Sequence, residues 1–268
     1  MMKVREIQAK SIITKSNLPE SEFVVNPYVG CTHGCIYCFA RFMKRFTNHP
    51  EAWGDFVDVK INAAELIPDA GNKYKDKSIL ISSVTDPYQP LENRYKLMPG
   101  ILQKLLHINP RLGILTKSDL IVRDIDLLKK FRDCAVGFTI TSLNDDVGSQ
   151  IEPGACRIQK RIDALRLLKN NGVKTYVFIG PIIPFITNWK EIVVETKSLV
   201  DDFMFDKLNI SGIILPLIKK WIQGKHPSLI EKYEKIYSGT NTIWPDMENE
   251  IRSYCESNKI NHRIYFRH

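Results

Sequence analysis

No apolar run in this chain approaches the roughly eighteen residues that a membrane span needs. The opening residues, MMKVREIQAK, hold no apolar signal core. Together these predict a soluble, cytoplasmic protein with no membrane attachment. No block of like charges stands out, although the formal net charge is +8. That balance admits nucleic acid or an acidic substrate as a partner, and equally a Lys-rich solvated surface. Internal repeats and low-complexity stretches are absent, which excludes solenoids and long linkers. Cysteine is sparse, six in 268 residues, too few and too unevenly spread for a disulfide framework.

What cysteine there is lies concentrated. NPYVGCTHGCIYCFAR, residues 26–41, places Cys31, Cys35 and Cys38 within eight residues as C-x3-C-x2-C. Gly30 and Gly34 allow the sharp turns by which thiolates converge from one short loop. Thiolates at this density select zinc or an iron–sulfur cluster. A structural zinc site needs four ligands, and the chain has no second C-x2-C or H-x3-H pair. His33, inside the loop, is either a ligand or a polar loop residue. Three cysteines holding a four-iron cluster leave one iron open to bind something else. Cys134, Cys156 and Cys255 are scattered and read as buried free thiols.

The remainder alternates strand and helix. EFVVNPYVG, KSILISSV, RLGILTKS, AVGFTITS, KTYVFIGPII and FDKLNISGII read as six strands. CRIQKRIDALRLLKNNG puts Ile158, Ile162, Leu165 and Leu168 on one helical face, and Gly172 marks its stop. VRDIDLLKKF and NWKEIVVETKSLVDDF read as further helices. The predicted class is α/β, a partial (β/α)6 barrel over residues 1–214. A mostly helical extension over 215–268 closes it and ends in a strand-like HRIYFR. Polar residues gather where the strands end: Ser82, Ser83, Thr85 and Asp86; Thr116, Lys117 and Ser118; Thr141, Ser142 and Asn144. Lys117 suits a carboxylate, and Asp86 suits an ammonium or hydroxyls. The plainer reading makes Asp86, Ser118 and Asn144 loop starters and helix caps.

The cysteine motif, with Tyr37 before its last cysteine, resembles the radical S-adenosylmethionine (SAM) superfamily. SSVTDPYQPLENRYKLMPGIL, TKSDLIVRDIDLL and EPGACRIQKRIDALRLLKNNGV narrow the resemblance to its spore photoproduct lyase-related branch. The resemblance implies a [4Fe–4S] cluster on Cys31, Cys35 and Cys38 and SAM on its open iron. It also implies a 5′-deoxyadenosyl radical that abstracts hydrogen from an unidentified substrate, and a flavodoxin- or ferredoxin-type electron donor. By the same resemblance SAM is contacted by Tyr37, Asp86, Lys117 and Ser142, with Ser83, Arg123 and Arg161 beside them. The lyase carries a hydrogen-donor cysteine just before the acidic residue of its second strand, where this chain has Ser82, Ser83 and Val84. It carries a tyrosine just after the last cysteine, where this chain has Phe39. Cys156 is the candidate replacement thiol and Tyr88 a candidate substrate contact, each with a core reading as alternative. Lys219–Trp221 could stack a base or anchor a helix. The alternatives to a hydrogen-abstracting enzyme are a DNA photoproduct or lesion repair lyase and a non-catalytic, metal- or cluster-stapled nucleic-acid-binding protein.

Overall fold

A computed structural model describes residues 2–69, 73–238 and 243–266. Eleven strands run in order among them: β1 (Lys3–Ile7), β2 (Ile13–Lys15), β3 (Phe23–Val25), β4 (Tyr28–Val29), β5 (Phe56–Lys60), β6 (Ser78–Ile81), β7 (Arg111–Thr116), β8 (Cys134–Thr139), β9 (Lys174–Ile182), β10 (Asp202–Lys207) and β11 (His262–Ile264). The helices are α1 (Glu92–Tyr95), α2 (Leu97–Ile108), α3 (Ile125–Leu128), α4 (Asp145–Ile151), α5 (Ile158–Asn170), α6 (Trp189–Thr196), α7 (Ile214–Lys225), α8 (Ile230–Ile236) and α9 (Ile243–Ser257). An eight-stranded sheet has the order β11-β10-β9-β8-β7-β6-β3-β2, parallel throughout except for the β2–β3 pair.

The strands alternate in a way that explains the shape. Ile79 and Ile81 of β6, Leu112 and Ile114 of β7, Val177 and Ile179 of β9, and Phe203 and Phe205 of β10 are buried in one core. Leu102, Leu105, Leu165 and Leu168 of α2 and α5 belong to that core too. The intervening residues, Leu80, Leu115, Phe178 and Met204, face a cavity of about 1080 Å³. A parallel sheet with helices on one face and a lumen on the other is a partial barrel. Its edges meet without pairing: Arg263 and Tyr265, at β11, bind Glu20 of the β2–β3 connection. The helical side is close-packed, and truncating a buried residue such as Leu165 to alanine costs about 3 kcal/mol.

Several elements differ from the sequence reading. EFVVNPYVG is two strands in different sheets, because Pro27 has no N–H to continue a ladder and Asn26 turns its side chain to the backbone of Ser83 and Val84. The second sheet, β1-β5-β4, has three strands, and nothing in the sequence reading anticipates it. FDKLNISGII is strand only to Lys207. Gly212, at φ +58°, turns the chain, and Ile214 begins α7. VRDIDLLKKF forms a 3-10 helix from Asp119 and a single turn of α3 instead of one long helix. HRIYFR joins β10 as a further parallel strand up to Ile264, and its Arg267 lies outside the described residues. α9 packs Ile251 and Cys255 into the main core. Among the described residues no helix is long and apolar enough to cross a membrane.

Candidate active site

The cysteine loop lies between β4 and a 3-10 helix, Phe39–Phe46, and is pinned by the segment after β6 and by the end of α4. The Thr85 hydroxyl donates to Gly30 O at 2.6 Å, and Thr32 N donates to the Gln89 side chain at 2.9 Å. Ile36 N donates to Ile151 O, and Gly154 N to His33 O. Two glycines are obligatory. Gly30 sits at φ +87° with Phe56 O only 2.4 Å from where a Cβ would stand, and a Cβ on Gly154 would lie 2.0 Å from Thr32 O. The loop is therefore clamped between β5 and the end of α4.

Cys31 and Cys35 are buried and Cys38 is half-buried. Burial, then Asp86 and the other two thiols, pushes the Cys31 thiol well above its usual range. Burial pushes Cys35 up to about 12 and raises Cys38, against the pull of Lys117 and the Trp53 indole. Such thiols stay protonated alone and give up their protons to a bound cation. Among the described residues no three His, Cys, Asp or Glu side chains gather about one point as a mononuclear zinc site requires. Thiolates on separate irons of a cubane need no such point. The buried Trp53 N–H faces the Cys38 sulfur and has no oxygen or nitrogen acceptor among the described residues. It is a donor suited to a cluster-bound sulfur, so the loop fits an iron–sulfur cluster.

Asp86 braces the loop. Its carboxylate accepts from the Thr116 hydroxyl at 2.7 Å, Lys117 N at 2.8 Å and Tyr88 N at 2.9 Å, and faces His33 Nδ1 at 3.4 Å. Burial pushes His33 down to about 4, so its ring is neutral. The Tyr37 hydroxyl donates to Glu152, which pairs with Arg161 at 2.5 Å. Arg161 is 1% exposed and donates to the carbonyls of Thr139 and Cys156. Burial would lower the Lys117 ammonium, but Cys35, Glu152 and Asp86 raise it above its usual range. It lies 5.7 Å from the Tyr37 ring centre.

Tyr37, Asp86, Lys117 and Arg161 thus surround the cysteine loop. The Ser142 hydroxyl accepts from Asn144 N at the end of β8. The Ser83 hydroxyl accepts from the Asn26 amide, so its lone-pair side is already engaged. Arg123 binds Glu92 and Asp124 and lies over Tyr88. The two candidate catalytic residues are both engaged within the protein. Tyr88 is fully buried and donates to Asp124, and the Cys156 thiol donates to Lys117 O. Neither lines the cavity. Trp221 donates its indole N–H to Gln150, anchoring α7. Ser118 and Asn144 are the helix caps of the plainer reading.

The sequence reading missed Glu152, whose only signal is its place in EPGACR, and gave Ser82 a place among the strand-end polar residues but no role. Ser82 is 5% exposed, held at φ +66°, and its hydroxyl has no partner. It lines the cavity, as does Phe39, the residue after Cys38, so the lumen reaches the cysteine loop.

A parallel partial barrel with a three-thiol loop at its C-terminal mouth defines a cofactor-dependent barrel enzyme. Residues 25–196 match the radical SAM superfamily, and the chain belongs to it. An uncharacterised protein of Methanocaldococcus jannaschii is 39% identical over 239 residues, 89% of this chain and 88% of that one. A Pseudomonas phage M6 protein named radical SAM Nα-GlyT isomerase is 23% identical over 224 residues, 82% of this chain and 44% of its own length. A spore photoproduct lyase structure with a dinucleoside spore photoproduct shares the fold, with TM-score 0.65 at 14% identity, covering 98% of this chain and 82% of that one. The protein is a radical SAM enzyme that uses a [4Fe–4S] cluster and SAM. This sets aside the zinc-stapled, non-catalytic alternative.

Proposed function

We propose that this enzyme acts on a substrate held in the barrel lumen, with Lys117 and Ser82 turned to the bound small molecules. When bound, the cluster and SAM supply a 5′-deoxyadenosyl radical that removes a hydrogen atom from the substrate. Cys31, Cys35 and Cys38 hold the cluster. Lys117, drawn by Cys35, Glu152 and Asp86 and 5.7 Å from the Tyr37 ring centre, offers its ammonium to a carboxylate such as that of SAM. Asp86, Glu152 and Arg161 position the loop and Lys117, and Tyr37, Ser142 and Ser83 are the further residues we assign to SAM. The lumen walls exclude water and orient the substrate through the Ser82 hydroxyl. The observation that carries this reading is that Ser82, whose buried hydroxyl has no partner among the described residues, lines a large cavity together with Phe39, the residue after Cys38.

The lesion-repair alternative asks for a thiol beside the substrate to return hydrogen. No cysteine lines the lumen, and the Cys156 thiol is engaged behind Lys117, so the geometry favours abstraction without thiol return. The superfamily needs an external electron donor, for which we propose a flavodoxin or ferredoxin.

The test is anaerobic. The protein is reconstituted with iron and sulfide, then given dithionite and SAM. The wild type is expected to carry about four irons and release 5′-deoxyadenosine, and Cys35→Ala to lose both. A wild type with a full iron complement and no 5′-deoxyadenosine would sink the reading.

A further inference from the structure

The surface next to the most exposed cluster ligand has a composition the function above does not use. Cys31 and Cys35 are 8% and 5% exposed, whereas Cys38 is half-buried. The 3-10 helix Phe39–Phe46, FARFMKRF, follows it directly. Phe39, Phe42 and Phe46 are 47%, 42% and 65% exposed. They form a continuous aromatic track, with ring centres 6.3 Å and 6.5 Å apart. Arg41, Lys44 and Arg45 lie among them and no acidic residue does. Arg41 is tied inward to Cys35 O, and Arg45 is exposed over the rings of Phe42 and Phe46. Three exposed phenylalanines in sequence are an unusual solvent-facing feature that calls for a partner.

We propose that this face is where an acidic, low-potential redox protein docks to reduce the cluster. The proposal rests on the radical SAM reading, which creates the need for an electron. Three observations select this occupant. Electron transfer falls steeply with distance, and this patch begins at the residue after the ligand nearest solvent. Aromatic residues and arginine with no acid match the anchors of protein interfaces, and the charge calls for an acidic partner. The ring faces are also partly covered: Phe39 and Phe42 lean on each other with ring planes 29° apart, and Arg45 lies over Phe42 and Phe46, which leaves fewer open faces for a row of stacked bases. A second copy of the chain would set like charges against each other. In the encounter the partner gives up one electron, the protein takes it up at its iron–sulfur centre, and the partner leaves oxidised by one electron.

Flavodoxin in its fully reduced form is the probe. Its binding to the chain is measured at low and high salt, with and without reconstituted cluster. Bleaching of the cluster's visible absorbance is followed with flavodoxin and, separately, with dithionite. Phe46→Ser and Arg45→Glu, both at exposed positions, are expected to weaken flavodoxin binding about tenfold and slow flavodoxin-driven bleaching in proportion. Dithionite-driven bleaching should not change, and Arg45→Glu should flatten the salt dependence. The proposal is overturned if the wild type does not bind flavodoxin at low salt, or if both variants bind and accept electrons as the wild type does. It is equally overturned if they lose affinity for a single-stranded oligonucleotide while keeping flavodoxin. Release of 5′-deoxyadenosine under dithionite tests the radical reading separately, and binding to the cluster-free chain stands whatever that assay shows.

Discussion

Ser82 is held in the left-handed region at φ +66° with its hydroxyl buried and partnerless. Both features cost stability, the first because Cβ crowds the carbonyl there, the second because a buried polar group loses its water. The neighbouring backbone explains how the conformation persists, since Asn26 accepts from the N–H groups of both Ser83 and Val84. Strain of this kind collects at sites that meet ligands. We expect Ser82→Gly to raise resistance to urea by about 1 kcal/mol. A lower midpoint would show that the hydroxyl is bonded inside the protein and would remove it from the lumen argument. Asp86 shows the opposite logic. Its oxygens accept from Thr116, Lys117 and Tyr88, so hydrogen bonds within the protein hold it beside the loop.

At the scale of elements, α5 is tied to β9 by one carboxylate. Asp201 accepts from Thr175 N at 2.9 Å and binds the Lys169 ammonium. Burial alone would raise its pKa, but the Lys169 and Thr175 bonds hold it below its ordinary 3.8. A folded-state pKa that is depressed gives stability present above the unfolded value and lost as pH falls through the folded one. Wild type is therefore expected to exceed Asp201→Asn in thermal midpoint at neutral pH, with the gap closing as pH drops below 3.8. A gap that persists unchanged in acid would place the effect elsewhere. Strands β6 to β9 were legible because each is an apolar run of strand length. Where runs were misjudged, local geometry overrode composition. Pro27 splits the first strand, and the sixth ends at Lys207, before the turn at Gly212 and the apolar residues Ile213 and Ile214. β1 and β5 were illegible, since each mixes charged with apolar residues and the pairing of Lys3 with Phe56 spans half a hundred residues of chain.

The whole molecule depends on a seam. Arg263 binds Glu20 and Asp202, and Tyr265 donates to Glu20, joining the two edges of a sheet whose outer strands do not pair. These groups also line the lumen floor. Arg263→Ala is expected to leave the core strands protected and to speed amide exchange in β2 and β11, because opening at the seam needs no loss of helix packing. Exchange that rises uniformly instead would show the seam to be part of the global fold.

The sequence by itself determined the thiol loop, the strand–helix rhythm and the polar clusters at strand ends, because spacing, periodicity and residue chemistry are local properties. Only the tertiary structure decided which of those polar groups remain available. Asp86 is satisfied by Thr116 and Lys117, Ser83 by Asn26, Arg161 by Glu152 and Arg123 by Glu92, while the Ser82 hydroxyl is left without a partner among the described residues. Most of those pairings join residues tens of positions apart. A hydrogen bond is settled by distance in space, which the order of residues along a chain does not record.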